Sequence, residues 1–375
     1  MALACSSAAG AIAQSSPSAQ ANPDVATQGG VVARDGLPPS QAAAMQTLNQ
    51  RFAATVVIPT YVSLTEQTQR LAEASRQFVA EPTEESLAAL RGRWVDATSA
   101  WAKGQAFAFG PVHSLGYSTA LEFPADSASI EVLLSDPAVL EADNIDAIVE
   151  AIALSPSVHG FEAIAYVLYG LDGDKALGDF SAVQRLYIAR LAEMADEKAD
   201  ELLQVWQEGW EDSAPYETVL ATAGQPNNGA YLSVEAGTEE IIRGLYNHLD
   251  VVVNEALPEM MEAWETDSIL PDTVALTHLH SSVSGVQLAY TGVTDEVTSD
   301  TASETASGLD QLVAMENRVI DQVIQRFLAT ALTSLETAIA NPEDGDALAN
   351  AYESLATVHE YLETDVLALV QSPQP

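Results

Sequence analysis

The sequence predicts an all-α protein. Apolar residues recur at helical spacing through most of the chain, as at Leu48, Phe52 and Val56. No stretch shows sustained alternation of apolar and polar residues, and no Asn-Gly turn joins two apolar runs, so strand signals are missing. Two successive sets of helices of similar length further predict two related helical bundles.

The first 40 residues are expected to be a signal remnant and a disordered segment. They are rich in Ser, Ala, Gln, Gly and Pro, a composition that favours disorder. Residues 11–13 and 19–21 are small-residue patterns typical of signal cleavage. We therefore expect export to the periplasm or cell envelope by cleavage. Lipid attachment at Cys5, the single cysteine of the sequence, is the alternative.

The first bundle is predicted over residues 41–211. The helical period that opens it meets Pro59, which should kink or split the helix. Pro82 begins a further helix, which ends at residues 110–111, and a long helix is expected over 181–210.

The second bundle is predicted over residues 233–375, after a connecting loop at 212–232 that is rich in proline, asparagine and glycine. A stretch of Thr, Ser and acidic residues between Thr291 and Gly308 is expected to be an exposed, mobile loop. Helical periodicity places the helices of this bundle at 233–264, 272–290, 309–341 and 344–370.

The charge of the chain restricts its partners. With 14 basic and 54 acidic residues, the net charge is −40. Such a surface repels polyanions, so nucleic acids and anionic membranes are excluded as partners. It attracts cations only diffusely. No uninterrupted apolar stretch of membrane-spanning length follows the N-terminal segment, so no transmembrane helix is expected.

The stretch SPSVHGFEAIAYVLYG, residues 155–170, carries the strongest functional signal. Ser155 and Pro156 suit the start of a helix, and Gly170 suits its end. At about 100° per residue, one stripe of this helix is polar and the opposite stripe is apolar. The polar stripe carries His159, Glu162, Tyr166 and Tyr169, and the apolar stripe carries Phe161, Ile164, Ala165 and Leu168.

His159 and Glu162 are the residues of this helix that carry chemistry. Residues three apart on a helix are neighbours, so the pair can converge on one ion or one proton. The alternative is a structural pair in which the glutamate satisfies a buried histidine without any ion. Spacing alone leaves both interpretations open, because acidic residues are abundant in this chain.

Common catalytic motifs are absent from the sequence. It has no phosphate-binding P-loop, no dinucleotide-binding glycine fingerprint and no G-x-S-x-G nucleophile elbow. His359 and Glu360 begin a zinc-protease motif, but Glu363 occupies the position of its second histidine.

Three longer stretches resemble the imelysin family, which includes iron-regulated imelysin-like proteins. The resemblance extends over nearly all of the chain after Gln41, and two positions depart from it. Ser157 replaces the leading glycine of the family's G-x-H-x-x-E motif, and Gln105 stands where many relatives carry an acid. The first stretch, LRGRWVDATSAWAKGQAFAFGPV at 90–112, resembles the family's Trp-rich helix with its Phe-Gly-Pro turn. The second, SVHGFEAIAYVLYG at 157–170, resembles the H-x-x-E motif. The third, LHSSVSGVQLAYTG at 279–292, resembles the family's Gly-x-x-x-x-Tyr-x-Gly segment.

The resemblance implies two related bundles with the H-x-x-E site in a cleft between them. It also implies binding of a divalent metal, iron above all, or of a metal-bearing ligand in iron uptake or homeostasis, with envelope iron-uptake proteins as partners. His159 and Glu162 are the expected ligands. His113, Glu122 and Gln105 are further candidates, although a Gln carbonyl is a poorer transition-metal ligand than a carboxylate. Tyr166 is expected to be an outer hydrogen-bond donor to the site.

A metallopeptidase-like hydrolase is the alternative function, because the imelysin family was first described as peptidases. A catalytic zinc takes three protein ligands, an open position and a general base. The sequence identifies only His159 and Glu162 firmly. We therefore assign no catalytic residue and expect little or no peptidase activity.

Overall fold

A computed structural model of the chain confirms the all-α prediction. It describes residues 25–28, 31–34, 37–140, 155–170, 173, 175–267, 273–292, 308–342 and 344–371. Nearly all of these residues are helical, and the strands among them form one short antiparallel pair.

The regular elements follow one another along the chain in this order. The strands are β1 (Val25–Gln28) and β2 (Val31–Arg34). The helices are α1 (Pro39–Phe52), α2 (Ile58–Ala80), α3 (Glu84–Gly104), α4 (Pro111–Ser114), α5 (Tyr117–Glu122), α6 (Ser127–Ser135), α7 (Pro137–Leu140), α8 (Gly160–Tyr169), α9 (Ala182–Gln207), α10 (Tyr216–Ala221), α11 (Val234–Val251), α12 (Leu257–Asp267), α13 (Thr273–Thr291), α14 (Leu309–Ala340) and α15 (Gly345–Tyr361).

The β1–β2 pair lies in the segment for which the sequence predicts disorder. The strands are antiparallel, with Val25 opposite Arg34. The backbone N–H of Val32 donates to the carbonyl oxygen of Gly224 at 2.6 Å. The pair is thus tied to the loop that follows α10, and the expectation of disorder does not hold for these eight strand residues.

The chain divides into two compact units. The first unit comprises residues 60–102 and 110–205, and the second comprises the described parts of 7–59, 103–109 and 206–375. Residues 41–59, which the sequence places in the first bundle, belong to the second unit.

Hydrogen bonds of α1 explain why this segment packs with the second unit. The Asn49 amide donates to the carbonyl oxygen of Val234 at 2.8 Å, and the Thr238 hydroxyl donates to Asn49 Oδ1 at 3.0 Å. All three residues are buried. Burial of these polar groups is tolerated because each finds its partner across the α1–α11 contact.

The first unit packs around the apolar faces of α2, α3, α8 and α9. The apolar stripe predicted for α8 is buried as expected. Gly170 ends this helix with a φ of 71°, so the predicted stop is confirmed. The largest buried side chains of this core include Leu64, Leu71, Phe78, Leu90, Trp94, Phe161, Ile164, Leu168, Tyr187 and Leu191.

The second unit packs α11, α13, α14 and α15 together with α1. Residues 103–109 run through it, because two glycines leave room for their backbone. A Cβ at Gly244 would lie 3.1 Å from the carbonyl oxygen of Ala106, and a Cβ at Gly285 would overlap that of Lys103. Gly285 is the leading glycine of the segment at 279–292, so this segment has a packing role.

Two long helical runs pass through a π-helical segment two residues before a proline. The segments are Ala53–Val57, ahead of Pro59, and Val252–Ala256, ahead of Pro258. A proline lacks the N–H and clashes with the carbonyl of residue i−4, so the regular α-helical bonding pattern cannot continue through it. Pro59 therefore interrupts the helical run without ending it.

The described helices include none that is both long and apolar enough to cross a bilayer. Residues 141–154, ahead of the H-x-x-E segment, and residues 293–307 of the expected loop lie outside the described residues.

Candidate metal centre

The helix predicted over residues 155–170 begins later than expected. Residues 156–158 form a separate 3-10 turn, and His159 follows in extended backbone with φ −139°. α8 begins only at Gly160. His159 is therefore the N-cap residue of α8, and the prediction that it shares a helical stripe with Glu162 is wrong.

Gly160 is the cause of this break. Its φ is +84°, a backbone conformation that side chains other than hydrogen rarely allow. A Cβ at this position would lie 2.8 Å from the carbonyl oxygen of Leu121 and 3.2 Å from that of Ala120. The missing side chain thus lets the C-terminal end of α5 approach the N-terminus of α8.

His159 is oriented by the same approach. Its Nδ1 donates to the carbonyl oxygen of Ala120 at 3.1 Å. Because a carbonyl only accepts, Nδ1 carries the proton, and the lone pair of the neutral ring lies on Nε2. Burial lowers the pKa of His159, which favours this neutral form. Histidines that bind metals commonly have such a hydrogen bond behind the ring.

Two carboxylates, Glu122 at the end of α5 and Glu162 in the first turn of α8, interact electrostatically. Burial raises the pKa of Glu162 to about 7, and the charge of Glu122 adds to this rise. Burial also raises the pKa of Glu122, while a hydrogen bond from Trp101 opposes the rise. Within the part of the chain that the structure describes, the Glu162 carboxylate has no hydrogen-bond or ion-pair partner.

The imidazole of His159 and the two carboxylates carry the types of donor atom that divalent cations bind. Imidazole nitrogen with carboxylate oxygen is a donor set that iron, zinc and related ions accept. The number of donors is small, however. Over the described residues, no group of three or more His, Cys, Asp or Glu side chains has the geometry to hold a metal ion. The site therefore offers suitable donors without a complete coordination shell.

Two other predicted ligands, His113 and Gln105, make no hydrogen bond to His159, Glu122 or Glu162 among the described residues. His113 is exposed on α4, and its Nδ1 lies 3.3 Å from the Ser118 hydroxyl. This hydrogen bond is to a serine of α5, and neither glutamate of the site takes part in it. Gln105 belongs to the second unit, where its side-chain nitrogen is buried without a hydrogen-bond partner among the described residues.

Tyr166 does not act as the expected outer donor. Its hydroxyl donates to Glu131 Oε1 on α6 at 2.8 Å. Burial, together with this carboxylate, raises the pKa of Tyr166 to about 12. Tyr166 therefore links α8 to α6 and leaves Glu162 without its hydrogen bond.

Trp94 and Trp101 are the residues that sequence reasoning missed. They lie seven residues apart on α3 and therefore on one side of it. The Trp94 indole N–H donates to the carbonyl oxygen of Phe161 at 3.1 Å, and that of Trp101 donates to Glu122 Oε2 at 2.9 Å. A buried indole N–H usually finds a partner, and this need was the signal available in the sequence.

The fold is that of imelysin-like helical proteins. The structure described as an iron-regulated protein A precursor from Parabacteroides distasonis matches with a TM-score of 0.72 and 18% identity, covering 90% of this chain and 97% of that one. An imelysin-like protein from Psychrobacter arcticus matches with a TM-score of 0.66 and 15% identity, covering 88% and 96%. At these identities the likeness concerns the fold.

The family follows from the sequence match. The family model described as Imelysin, a peptidase M75 family, matches residues 57–367. This chain belongs to the imelysin family, and the resemblance inferred from the sequence is confirmed. It is also similar to "Iron-regulated protein A" of Synechococcus elongatus, with 28% identity over 331 residues that cover 86% of each chain.

Proposed function

We propose that this protein binds a divalent metal ion, iron above all, or a small ligand that carries one, through the H-x-x-E residues His159 and Glu162. The observation that carries the proposal is the Glu162 carboxylate, which has no partner in the described chain yet interacts with a second carboxylate. Two partly buried like charges repel each other, and a shared cation relieves that repulsion. The Nε2 of His159 supplies the nitrogen donor that favours a transition metal over calcium.

An iron-related role is supported by the relatives. The Synechococcus elongatus protein is named as iron-regulated, and the Parabacteroides distasonis structure is described as the precursor of such a protein. The cleavage patterns at residues 11–13 and 19–21 support export to the periplasm or envelope. There, proteins of envelope iron uptake would be the partners that deliver or receive the metal.

A small number of protein donors suits a metal ion that is bound and later released. A site with two protein donors leaves coordination positions to water or to the molecule that carries the metal. It also argues against the hydrolase alternative, because a catalytic zinc needs three firm protein ligands. We therefore place binding ahead of peptidase activity, although the family carries a peptidase name.

Calorimetry on purified protein tests the proposal. Ferrous iron under anaerobic conditions, manganese, zinc, copper and calcium are titrated at about 0.15 M salt, which screens diffuse attraction to the acidic surface. We expect one stoichiometric site whose affinity falls at least about tenfold in His159→Ala. His280→Ala, in the second unit beside Glu336, is the matched control and should bind as the wild type does.

Two results would count against this function. If His159→Ala binds every metal as tightly as the wild type, His159 is structural and the metal proposal fails. If the protein cleaves a denatured substrate and Glu162→Gln abolishes the cleavage, the hydrolase becomes the better function.

A further inference from the structure

We infer that Asn228 and Gly229 form a latent deamidation site, which the folded loop between α10 and α11 protects and which reacts when that loop opens. They are the one Asn-Gly pair of the sequence. An asparagine followed by glycine cyclises readily, because glycine has no side chain to hinder its own backbone nitrogen. The pair belongs to the second unit, whereas the H-x-x-E segment belongs to the first.

The deamidation reaction needs only water as a reactant. The backbone nitrogen of Gly229 gives up its proton and attacks Cγ of Asn228. A C–N bond forms, the Cγ–Nδ2 bond breaks, and Nδ2 leaves with that proton as ammonia. Water then opens the cyclic imide at either carbonyl, which yields aspartate or isoaspartate. The net change replaces a neutral amide by a carboxylate.

Four hydrogen bonds hold the Asn228 side chain in the folded loop. Its amide nitrogen donates to the carbonyl oxygen of Val219 at 2.6 Å and to the Thr222 hydroxyl at 3.1 Å. Its Oδ1 accepts from the backbone N–H groups of Ala230 at 3.0 Å and Tyr231 at 2.8 Å. Ring closure makes the amide carbon tetrahedral and moves both of its polar atoms. These bonds must therefore break before the side chain can react.

The folded loop accommodates an amide at this position but not a carboxylate. The Thr222 hydroxyl already donates its proton to the carbonyl oxygen of Thr218 at 2.7 Å. Towards Asn228 it therefore acts as an acceptor, as the carbonyl oxygen of Val219 does. Deamidation replaces Nδ2 by an oxygen that has no proton to give, so two acceptors would face a negative charge. A loop that opens and reacts in this way cannot form the same hydrogen bonds again.

Closure of the loop also holds neighbouring elements. The backbone N–H of Gly224 donates to the carbonyl oxygen of Tyr231 at 2.9 Å, and the carbonyl oxygen of Gly224 accepts from Val32 of β2 at 2.6 Å. The hydroxyl of Tyr231 lies 2.6 Å from that of Tyr216, at the start of α10. Deamidation of Asn228 should therefore destabilise the second unit and permanently mark a chain that has opened.

Peptide mapping by mass spectrometry measures the reaction. The purified full-length protein is incubated at mildly alkaline pH with and without guanidinium chloride, and aspartate and isoaspartate at position 228 are followed over time. We expect the reaction to run at least about thirtyfold slower in the folded protein, because four hydrogen bonds must break together. Gly229→Ala is the control in guanidinium chloride, where its methyl group should slow the attack. The folded loop has open space for that methyl group.

Thr222→Ala tests whether the hydrogen bonds of the loop provide the protection. It removes one acceptor of the Asn228 amide, so deamidation of the folded protein should accelerate about two- to tenfold. The rate in guanidinium chloride should not change. Thr330→Ala is the matched control, because the exposed Thr330 hydroxyl likewise donates to a carbonyl oxygen four residues earlier in its helix, at 2.9 Å. It should leave both rates unchanged.

Asn228→Asp tests the consequence of deamidation without the reaction. We expect it to lower the guanidinium chloride concentration at the midpoint of unfolding, because its carboxylate faces two acceptors. Asn227→Asp adds the same charge at the exposed residue before it and should leave the midpoint unchanged.

Four results would overturn the inference. Equal rates with and without guanidinium chloride would show that the fold does not protect Asn228, and no reaction in guanidinium chloride would show that the pair is not reactive. A Thr222→Ala rate equal to that of Thr330→Ala would show that the hydrogen bonds of the loop do not control the reaction. Equal midpoints for Asn228→Asp and Asn227→Asp would show that the loop tolerates the carboxylate.

Discussion

At the scale of single residues, the candidate site depends on one backbone conformation. Gly160 adopts a positive φ, and this turns the chain so that His159 faces the carbonyl of Ala120 while Glu162 enters the first turn of α8. The H-x-x-E segment therefore passes through a helix N-terminus, with His159 at the N-cap and Glu162 in the first turn. A regular helical turn would have placed them side by side on one stripe.

Gly160→Ala tests the importance of this conformation. The new methyl group would meet the carbonyl of Leu121 at 2.8 Å while the backbone keeps a strained φ. We expect the free energy of unfolding to fall by about 2 kcal/mol or more, and metal affinity to fall with it. Urea unfolding followed by circular dichroism measures the free energy of unfolding.

Two other glycines of the same unit provide controls. Gly116 has a φ of +76° with nothing near its missing Cβ, so Gly116→Ala reports strain alone, about 1 kcal/mol. Gly92 lies inside α3 with open space around it, so Gly92→Ala should stabilise the protein by about 0.5–1 kcal/mol. If Gly160→Ala costs no more than Gly116→Ala, the close approach of α5 is not important for stability.

The raised pKa of Glu162 predicts a pH dependence of stability. The pKa is 4.5 for the ordinary group and about 7 in the fold. Between these values the folded state binds more protons than the unfolded state, so the free energy of unfolding falls as pH rises from about 4.5 to 7. In the metal-free protein, Glu162→Gln removes this loss and should be more stable than the wild type at pH 8, by about 1–2 kcal/mol after solvent screening.

The comparison of the wild type with Glu162→Gln must separate the effect of Glu162 from that of His159. The lowered pKa of His159 has the opposite effect, because its unfolded state binds more protons and stability rises with pH up to about 6.5. This contribution is present in both proteins, so the difference between them reports Glu162. Glu73→Gln, at an exposed position of α2, is the control. A Glu162→Gln curve parallel to that of the wild type from pH 5 to 8 would contradict the prediction.

At the scale of the element, α8 is fixed at both ends. Its N-terminus lies against α5, and its C-terminal carbonyls accept hydrogen bonds from two cationic side chains. Arg91 donates to the carbonyl oxygens of Leu168 at 2.9 Å and Lys175 at 2.6 Å, and Lys175 Nζ donates to that of Val167 at 3.0 Å. Cations at a helix C-terminus are stabilising because they offset the partial negative charge there.

Arg91→Met should therefore weaken the unit that carries the site. The substitution keeps much of the aliphatic stem and removes both hydrogen bonds, so we expect a loss of about 1–3 kcal/mol in the free energy of unfolding. Thermal or urea unfolding measures this loss.

The matched control for this substitution lies two residues further along α3. Arg93 is exposed and pairs with Asp96, so Arg93→Met should change stability by less than about 0.5 kcal/mol. Equal effects of the two substitutions would show that Arg91 does not act through the end of α8.

At the scale of the whole molecule, the acidic charge adds a diffuse attraction for cations to any specific binding at the site. The net charge of −40 attracts any cation, and this attraction weakens as salt shortens the screening length. Only a stoichiometric, salt-resistant site is attributable to His159 and Glu162.

The sequence by itself determined the class of fold and the imelysin family. Helical periodicity is a local property, so the α-helices could be predicted within a few residues of their ends. The stop at Gly170 and the buried face of α8 were predicted for the same reason. The choice of His159 and Glu162 as the ligand pair stays a prediction.

Only the tertiary structure decided which distant groups these residues contact. The late start of α8, the hydrogen bond of Trp101 to Glu122 and the packing of residues 41–59 with the second unit all depend on groups far apart in the chain. Periodicity and spacing report the neighbours of a residue along its own helix. Which carbonyl approaches Gly160, and which carboxylate accepts the indole N–H, is determined by packing between elements, because that packing must satisfy the buried polar groups of both.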